Sequence, residues 1–167
     1  MALRRWVRIG SQGVPVYAPG GIIAPLTRDN HIWYADSAAG ATNFDGKSPD
    51  QPFDTLTKAV AAAGPGDVIF AVGSFAESVT IASSQAGLTI IGGGTCPREC
   101  KWAPATGNDK VNLTVNAAYV RLENIYFQPG AKSATYSACI VLGTGASHAQ
   151  IRGCRFQGST GAYYGIY

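Results

Sequence analysis

Charged residues are scarce in this chain, and so is methionine, which occurs once. Asp, Glu, Lys and Arg make up 14% of the 167 residues, whereas about a quarter is usual for a soluble domain. This scarcity argues against a helical bundle, which would be rich in Glu, Lys and Leu. The 21 glycines and 9 prolines indicate many turns, and 46% hydrophobic residues exclude a wholly disordered chain. The composition predicts an all-β protein.

Positive charge is concentrated at the start of the chain. The net charge is +3, and Arg4, Arg5 and Arg8 account for it, because basic and acidic residues balance in the remainder. No basic face is therefore expected for nucleic acid, and we predict no nucleic-acid partner. The three arginines fit either a solvated tail or an arm that docks on another protein, and both interpretations stay open.

Neither a secretion signal nor a membrane span is visible in the sequence. The segment Gly10-Ser11-Gln12-Gly13 interrupts the apolar stretch that a leader would need. No run approaches the roughly 20 apolar residues that cross a bilayer. We therefore expect no membrane partner, and a protein that is made in the cytosol or delivered by a route without a cleaved leader.

The four cysteines do not form a metal-binding pattern. Cys96 and Cys100 are the only clustered pair, and two thiols cannot complete a tetrahedral zinc site. Neither His31 nor His148 lies at zinc-finger spacing from them. We predict no metal and no cofactor, and the alternatives for Cys96 and Cys100 are a local disulfide or free thiols.

The chain divides at about residue 36. Residues 1–35 are punctuated by Gly and Pro but carry Trp, Tyr and Ile, so this arm is expected to pack on something. A polar loop follows over 36–53. One helix is predicted over 55–63, since its apolar residues recur at helical spacing, Asp54 or Thr55 can cap it, and Gly64-Pro65-Gly66 ends it.

Short apolar strands follow the helix and repeat at about 30 residues. Ile90, Leu122 and Ile151 each end an alternating pair and lie 32 and 29 residues apart. The segments 119–127 and 148–156 align without a gap. Three short strands per repeat cannot form two-residue hairpins, so each strand is expected to lie about 4.8 Å from its counterpart one repeat later. The pattern predicts a right-handed parallel β-helix with three strands per coil, whose open end the 55–63 helix covers.

This register predicts which side chains stack inside the coil. The expected inward rows are Ile81/Val115/Leu142, Ile90/Leu122/Ile151, Phe127/Phe156 and Ile125/Cys154. Cys139 precedes an inward isoleucine and is expected to face outward, so that it does not pair with Cys154. Tyr163 and Ile166 follow Tyr136 and Cys139 by 27 residues, which predicts the start of another coil.

The segment 43–92 resembles the opening of pectin-lyase-like β-helix proteins. The similarity lies in the capping segment and the first strands, and the matching pieces are Asp45-Gly46, Ser48-Pro49, Pro52-Phe53, Thr55-Leu56, Gly66-Asp67-Val68-Ile69, Phe75-Ala76-Glu77-Ser78-Val79-Thr80-Ile81 and Gly87-Leu88-Thr89-Ile90-Ile91-Gly92. The resemblance extends over about 36–156. It implies the right-handed parallel β-helix of that superfamily, whose members include polysaccharide lyases, hydrolases, adhesins and phage tailspikes.

Among these classes, the arrangement is most like the N-terminal part of a bacteriophage tailspike or tail fibre. Given the absent leader and the apolar arm, this resemblance implies that residues 1–35 are a virion-anchoring arm. Residues 36–167 would then be the capping segment and the first coils. The implied function is that of a virion structural protein, a homotrimer that serves host attachment and assembly in a phage tail and is assembled in the host cytoplasm. Its implied partners are other virion proteins and a host surface polysaccharide. A polysaccharide lyase or glycoside hydrolase is the alternative, and a bacterial adhesin is disfavoured.

No catalytic or binding residue is assigned from the sequence. The coil region offers few acids for a glycan-degrading enzyme, namely Asp67, Glu77, Glu99, Asp109 and Glu123. Glu123 and Arg152 are expected to face outward on adjacent strands as a cross-strand ion pair, as Gln150 is over Arg121. Outward aromatic residues fit either a sugar-stacking platform or subunit and loop packing, and these are Trp102, Tyr119 and Tyr126. His148 has no visible partner and is interpreted as a turn or surface residue.

Overall fold

The computed structural model describes residues 31–106, 110–130, 137–157 and 163–167. Short strands dominate these ranges, with one α-helix and two single-turn 3-10 helices at Ser83–Gln85 and Pro97–Glu99. The elements in chain order are β1 Ile32–Asp36, α1 Leu56–Ala62, β2 Val68–Ala76, β3 Val79–Ile81, β4 Thr89–Gly92, β5 Cys100–Ala103, β6 Leu113–Val115, β7 Arg121–Glu123, β8 Tyr126–Phe127, β9 Ser137–Leu142, β10 Gln150–Arg152, β11 Arg155–Phe156 and β12 Tyr163–Ile166.

The strands form two sheets, and the strand pairings in the described ranges are parallel. The larger sheet has eight strands in the order β10-β7-β4-β2-β5-β8-β11, with β1 also paired to β2. The smaller sheet has the order β12-β9-β6-β3. Apart from β1, which pairs with the next strand β2, the described strands lie beside strands from another repeat and not beside their neighbours in the chain, as the repeat pattern predicts.

Strand β2 joins the two flanks of the larger sheet. Its first residues pair with β4, and its last residues, from Gly73 onward, pair with β5. Gly73 has a φ of 96°, a conformation that other residues rarely adopt, so the strand can bend without ending. The eight strands consequently make one continuous curled sheet.

The predicted fold class is wrong. The predicted all-β right-handed parallel β-helix with three strands per coil is not found; the described strands join into one eight-stranded and one four-stranded parallel sheet. The structure is mostly parallel sheet curled into a half-barrel with a few helices, which indicates an α/β fold and not helical coils. The physical reason is the bend at Gly73: sequence periodicity places strands at intervals but does not reveal that two successive strand segments are one uninterrupted strand.

The predicted stacking of residues across strands is confirmed for most rows. Phe127 pairs with Phe156, and Leu122 pairs with both Ile90 and Ile151. The smaller sheet likewise aligns its three predicted residues, Ile81/Val115/Leu142. The last row is shifted by one residue, because β12 aligns Tyr163 with Ser137 and Ile166 with Ile140.

The core consists of these stacked rows. Inward residues of β2, β4 and β7 are buried, among them Ile69, Ile90 and Leu122. A second row is aromatic: the rings of Trp102 and Phe127 have centroids 5.6 Å apart, and those of Phe127 and Phe156 are 5.3 Å apart. Such offset pairs contribute about 0.5–1.5 kcal/mol each beyond the burial of apolar area.

Helix α1 confirms the predicted helix and one of the two proposed caps. Thr55 is the N-cap and its side chain accepts a hydrogen bond from the Lys58 backbone N–H. The apolar stripe packs into the hydrophobic core, as the buried residues Leu56, Ala59 and Val60 show. Of the predicted arm, the structure describes residues 31–35, most of which run in β1; residues 1–30 lie outside the described ranges.

Candidate functional site: the outer face of the eight-stranded sheet

Side chains alternate across a strand, so residues between the core positions project from the outer face of the sheet. The parallel register aligns them in three rows, which read Tyr34/Phe70/Ile91/Glu123/Arg152, Ser74/Lys101/Tyr126/Arg155 and Thr89/Arg121/Gln150. The first row is apolar on β1, β2 and β4 and charged on β7 and β10. This row of the outer face therefore changes from apolar to charged between β1 and β10.

Positive charge collects on the later strands of this face. Lys101, Arg121, Arg152 and Arg155 project there, and Glu123 is the carboxylate that shares the face on β4 to β11. The sequence predicted no basic face, because acids and bases balance in number outside the first eight residues. The structure shows a basic face because the register of the parallel strands brings basic residues from separate repeats together.

Glu123 is the most unusual residue of the face because its carboxylate is buried. The residue is 6% exposed, and its Oε1 has no hydrogen-bond partner. The expected backbone register with Arg152 is confirmed, but the expected ion pair is not. Within the described ranges, the cation near Glu123 is Arg121 of its own strand, whose Nε lies 3.9 Å from Oε1.

Tyr126 is held on the outer face by its neighbours. Its hydroxyl donates a hydrogen bond of 2.8 Å to Oε1 of Gln157, and Nε2 of Gln128 donates to the same oxygen. The guanidinium of Arg155 lies 5.6 Å from the ring centroid, a cation–π distance. One ring face is thus covered by a cation, and the group forms a polar, basic and aromatic surface.

Trp102 does not belong to an outer platform, which corrects that part of the aromatic hypothesis. The residue is 0% exposed, and its indole Nε1 donates a hydrogen bond of 2.9 Å to the backbone oxygen of Glu77. It faces inward because it aligns with Phe75 and Phe127 in the buried aromatic row. An alternation count from its own short strand would have placed it inside.

Tyr119 and His148 form an exposed stacked pair at a corner of the fold. Their ring centroids are 4.8 Å apart with an interplanar angle of 13°, and Tyr119 is 61% exposed. Both have a positive φ, 61° and 57°, and the equivalent corner positions on earlier strands are Gly66 and Gly87. His148 is exposed as predicted, but its partner was missed. The ungapped alignment of 119–127 with 148–156 already placed these two residues together.

The remaining acids bind backbone groups. Asp67, which is buried, accepts hydrogen bonds from the backbone N–H of His31 and Gly64 and from Nε1 of Trp33, at 2.7–2.9 Å. Glu77 accepts from the backbone N–H groups of Leu56 and Thr57, and Glu99 accepts from that of Thr95. Asp109 lies outside the described residues. These contacts tie segments of the fold together.

All four cysteines are free thiols in the structure. Burial, and secondarily the charge of Cys154, raises the pKa of the Cys100 thiol to about 12. The prediction that Cys139 faces outward is wrong, because the residue is buried, and burial raises its pKa to about 11. Cys154 was predicted to be a buried thiol; it packs against the core but is partly buried, and its Sγ approaches the backbone oxygen of Leu122 at 3.7 Å. The buried thiols are thus poor nucleophiles at neutral pH.

Two further properties concern only the residues that the structure describes. No cluster of three or more His, Cys, Asp or Glu side chains is arranged to hold a metal ion there. None of the described helices is long and apolar enough to cross a membrane.

Comparison with known proteins assigns neither a family nor a function to this site. No protein-family model matches the sequence, and no curated protein matches it significantly.

Proposed function

We propose that this chain is a structural protein of a virus particle, the anchored base of a phage tailspike or tail fibre. It is assembled in the host cytoplasm, acts as a homotrimer in the tail, and serves as a scaffold for host attachment. Its first residues dock on other virion proteins. The curled parallel sheet is the rigid body that this arm holds in place.

One observation carries the proposal: several buried polar side chains form hydrogen bonds that hold the backbone. Asp67 joins three segments through three hydrogen bonds. Gln85, also buried, accepts from the backbone N–H of Ala82 and donates to the carbonyl oxygen of Ala63 at the end of α1. The side chain of Asn124 donates to the carbonyl oxygens of Gly92 and Gly94. Polar groups used in this way stiffen a scaffold.

The outer face supports contact with a host surface. Lys101, Tyr126 and Arg155 align on adjacent strands, and the pair of Tyr119 and His148 adds two exposed rings. A surface of aromatic and basic groups fits a surface polysaccharide, which we propose as the host partner. Subunit contacts in the trimer are the other use of the same face.

The alternative function, a polysaccharide lyase or glycosidase, draws little support from the carboxylates. A glycosidase needs two of them, about 5–9.5 Å apart, across a sugar-binding groove. Asp67, Glu77 and Glu99 each accept hydrogen bonds from backbone N–H groups. Glu123 has one free oxygen, yet it is buried beside Arg121. These contacts favour the scaffold.

Removal of the arm tests the proposed function. The deletion should cover residues 1–30 and leave β1, whose five residues pair with β2. We expect the truncated chain to keep a cooperative unfolding transition but to be missing from virus particles assembled in its presence. A matched variant with Arg4, Arg5 and Arg8 replaced by Gln separates charge from length in the same assay. Normal incorporation of the truncated chain would contradict the anchor role.

A further inference from the structure

The corner before each of the strands β2, β4, β7 and β10 holds one residue with a positive φ. In chain order the four residues are Gly66, Gly87, Tyr119 and His148, with φ of 76°, 79°, 61° and 57°. Each of the first three donates its backbone N–H to the carbonyl oxygen of the residue just before the next one, at 2.8 Å. The four therefore form a single corner row, in which two glycines are followed by two aromatic rings.

Tyr119 is strained at this corner and gains little burial in return. A tyrosine at positive φ has a free-energy cost that glycine avoids. The fold does not require a ring at this position, since the two earlier repeats complete the same corner with Gly66 and Gly87. The Tyr119 side chain does not serve the core either, because the residue is 61% exposed. Strain of this kind is concentrated at positions that bind ligands or act in switches.

One face of the Tyr119 ring lies against His148, and the other lies toward the earlier repeats. The two rings have centroids 4.8 Å apart and an interplanar angle of 13°, so they stack along the same direction as the strands. The second face of Tyr119 is therefore directed toward Gly87. Among the described residues, only the backbone of Gly66 and the chain neighbours of Gly87 lie within 4 Å of the position that a Cβ on Gly87 would occupy. The free ring face and the bare backbone beside it form a step, here called the Tyr119 ledge.

The surroundings of the Tyr119 ledge are uncharged and carry hydroxyl groups. Among the residues that adjoin the corner row in the chain, only Asp67 is charged, and its buried carboxylate is occupied by three hydrogen bonds. Ser83 and Ser84, which shortly precede Gly87, are exposed. An anionic ligand thus finds no cation among the neighbours of the row, whereas an uncharged ligand with hydroxyl groups finds hydrogen-bonding partners.

We propose that the Tyr119 ledge binds a neutral hexopyranose unit of a polysaccharide, which stacks on the free face of Tyr119 and lies over Gly87. The C–H groups on one face of a pyranose ring carry partial positive charge, and they match the negative face of an aromatic ring. The proposal rests on the proposed function only for the origin of the polysaccharide, a host surface. Binding is measured on the purified full-length chain and the anchor role in particles, so the two can fail separately.

Cellohexaose provides the neutral probe, because the equatorial hydroxyls of its glucose units leave C–H groups on both ring faces. A hexamer of galacturonic acid is the charged probe. Full-length protein is titrated with each by calorimetry at low and high salt. The variants Tyr119→Asn and Gly87→Asn remove the ring or fill the ledge with a residue that tolerates positive φ. Tyr119→Phe keeps the ring, and Thr80→Asn is the control at an exposed position of the smaller sheet.

We expect Tyr119→Asn and Gly87→Asn each to weaken cellohexaose binding by about tenfold, and Tyr119→Phe and Thr80→Asn to bind within about threefold of wild type. Tyr119→Asn should unfold at no lower temperature than wild type, since it relieves strain, which separates lost binding from lost folding. No binding of cellohexaose by wild type, or unchanged binding by Tyr119→Asn, would overturn the proposal. Tighter, salt-sensitive binding of the galacturonic acid hexamer would overturn it in favour of the basic outer face. Loss of a chain oligomer in Tyr119→Asn would assign the ring to a subunit contact instead.

Discussion

At the scale of single residues, the fold places chemically reactive groups where they cannot react easily. Glu123 is buried with an oxygen that no donor reaches, and the thiols of Cys100 and Cys139 are buried in the core. Burial of a charged group costs free energy, so these residues stay buried because of the packing of the surrounding fold and not because of hydration. The effects of substituting these residues therefore report on the packing around them.

The substitution Glu123→Gln tests the most tempting catalytic candidate. The buried carboxylate makes one long ion pair, 3.9 Å from Arg121, and leaves one oxygen without a hydrogen bond, so neutralising this poorly compensated charge should not lower the free energy of unfolding. Any glycan-cleaving activity of the particle should not change. Urea denaturation and a glycan-release assay measure the two effects, and Glu99→Gln is the control. A large loss of cleavage with intact folding would support the enzyme alternative instead.

The buried thiols predict a loss of stability in alkaline solution. The folded-state pKa of Cys139 is raised from 9.0 to about 11 by burial, so the unfolded chain loses its thiol proton first. The contribution is complete below pH 9 and disappears as the pH rises toward 11, with a slope of up to about 1.4 kcal/mol per pH unit. The variant Cys139→Ala should show a shallower decline in denaturation curves between pH 9 and 11.

The matched control for this titration is Cys96→Ala, since Cys96 is exposed. It should retain the wild-type dependence on pH. A Cys139→Ala variant with the same alkaline slope as wild type would show that Cys139 is accessible to solvent in the folded protein.

At the scale of elements, short strands gain stability from being stacked in register. The strands β8 and β11 have two residues each, too few to be stable alone. Their aromatic residues continue the row of Trp102, and this row passes through the interior of the larger sheet. The stacked row of aromatic residues, and not any single strand, therefore stabilises this flank of the larger sheet.

Truncation of the central ring tests this row. Phe127 is fully buried between Trp102 and Phe156, so Phe127→Ala should lower the free energy of unfolding by about 3–5 kcal/mol. Phe127→Leu retains most of the volume and should cost clearly less. Urea denaturation of both variants gives the comparison. Similar small losses in the two variants would mean that the row is not packed as described.

The short helix depends on the carboxylate of Glu77, which directly follows β2. Glu77 accepts hydrogen bonds from the first backbone N–H groups of α1, at Leu56 and Thr57, and from the Thr57 hydroxyl. Helix α1 has 7 residues, and an isolated helix of this length is unstable. Its stability therefore comes from this clamp and from its buried stripe.

Neutralising the clamp should loosen the helix. We expect Glu77→Gln to cost about 1–2 kcal/mol, because charge-assisted hydrogen bonds to a helix N-terminus are lost. Hydrogen exchange should increase at the amides of α1 and remain slow in β4 and β7. Glu99→Gln, which changes the acid of the 3-10 helix Pro97–Glu99, should leave α1 unaffected. Unchanged exchange in α1 of Glu77→Gln would disprove the clamp.

At the scale of the whole molecule, local periodicity in the sequence predicted the strand register and the helix, but it did not predict the topology of the sheets. The spacing of Ile90, Leu122 and Ile151 was sufficient to predict the parallel register. Thr55 and Gly64 were sufficient to predict the bounds of the helix, because register and helix bounds depend on the local sequence pattern. The bend of β2 at Gly73, which joins two flanks into one sheet, leaves no periodic signal. The burial of Cys139 and the basic outer face also depend on the third dimension, since they arise from neighbours in distant repeats.

The most direct test of the central claim is to locate the protein in a particle. Purified virus is labelled with an antibody against the folded body and imaged by electron microscopy, and the protein content of the same particles is measured by mass spectrometry. The proposed function predicts label on the tail and three copies of the chain per labelled appendage. Particles that contain no copy, with all of the protein free in the lysate, would contradict it.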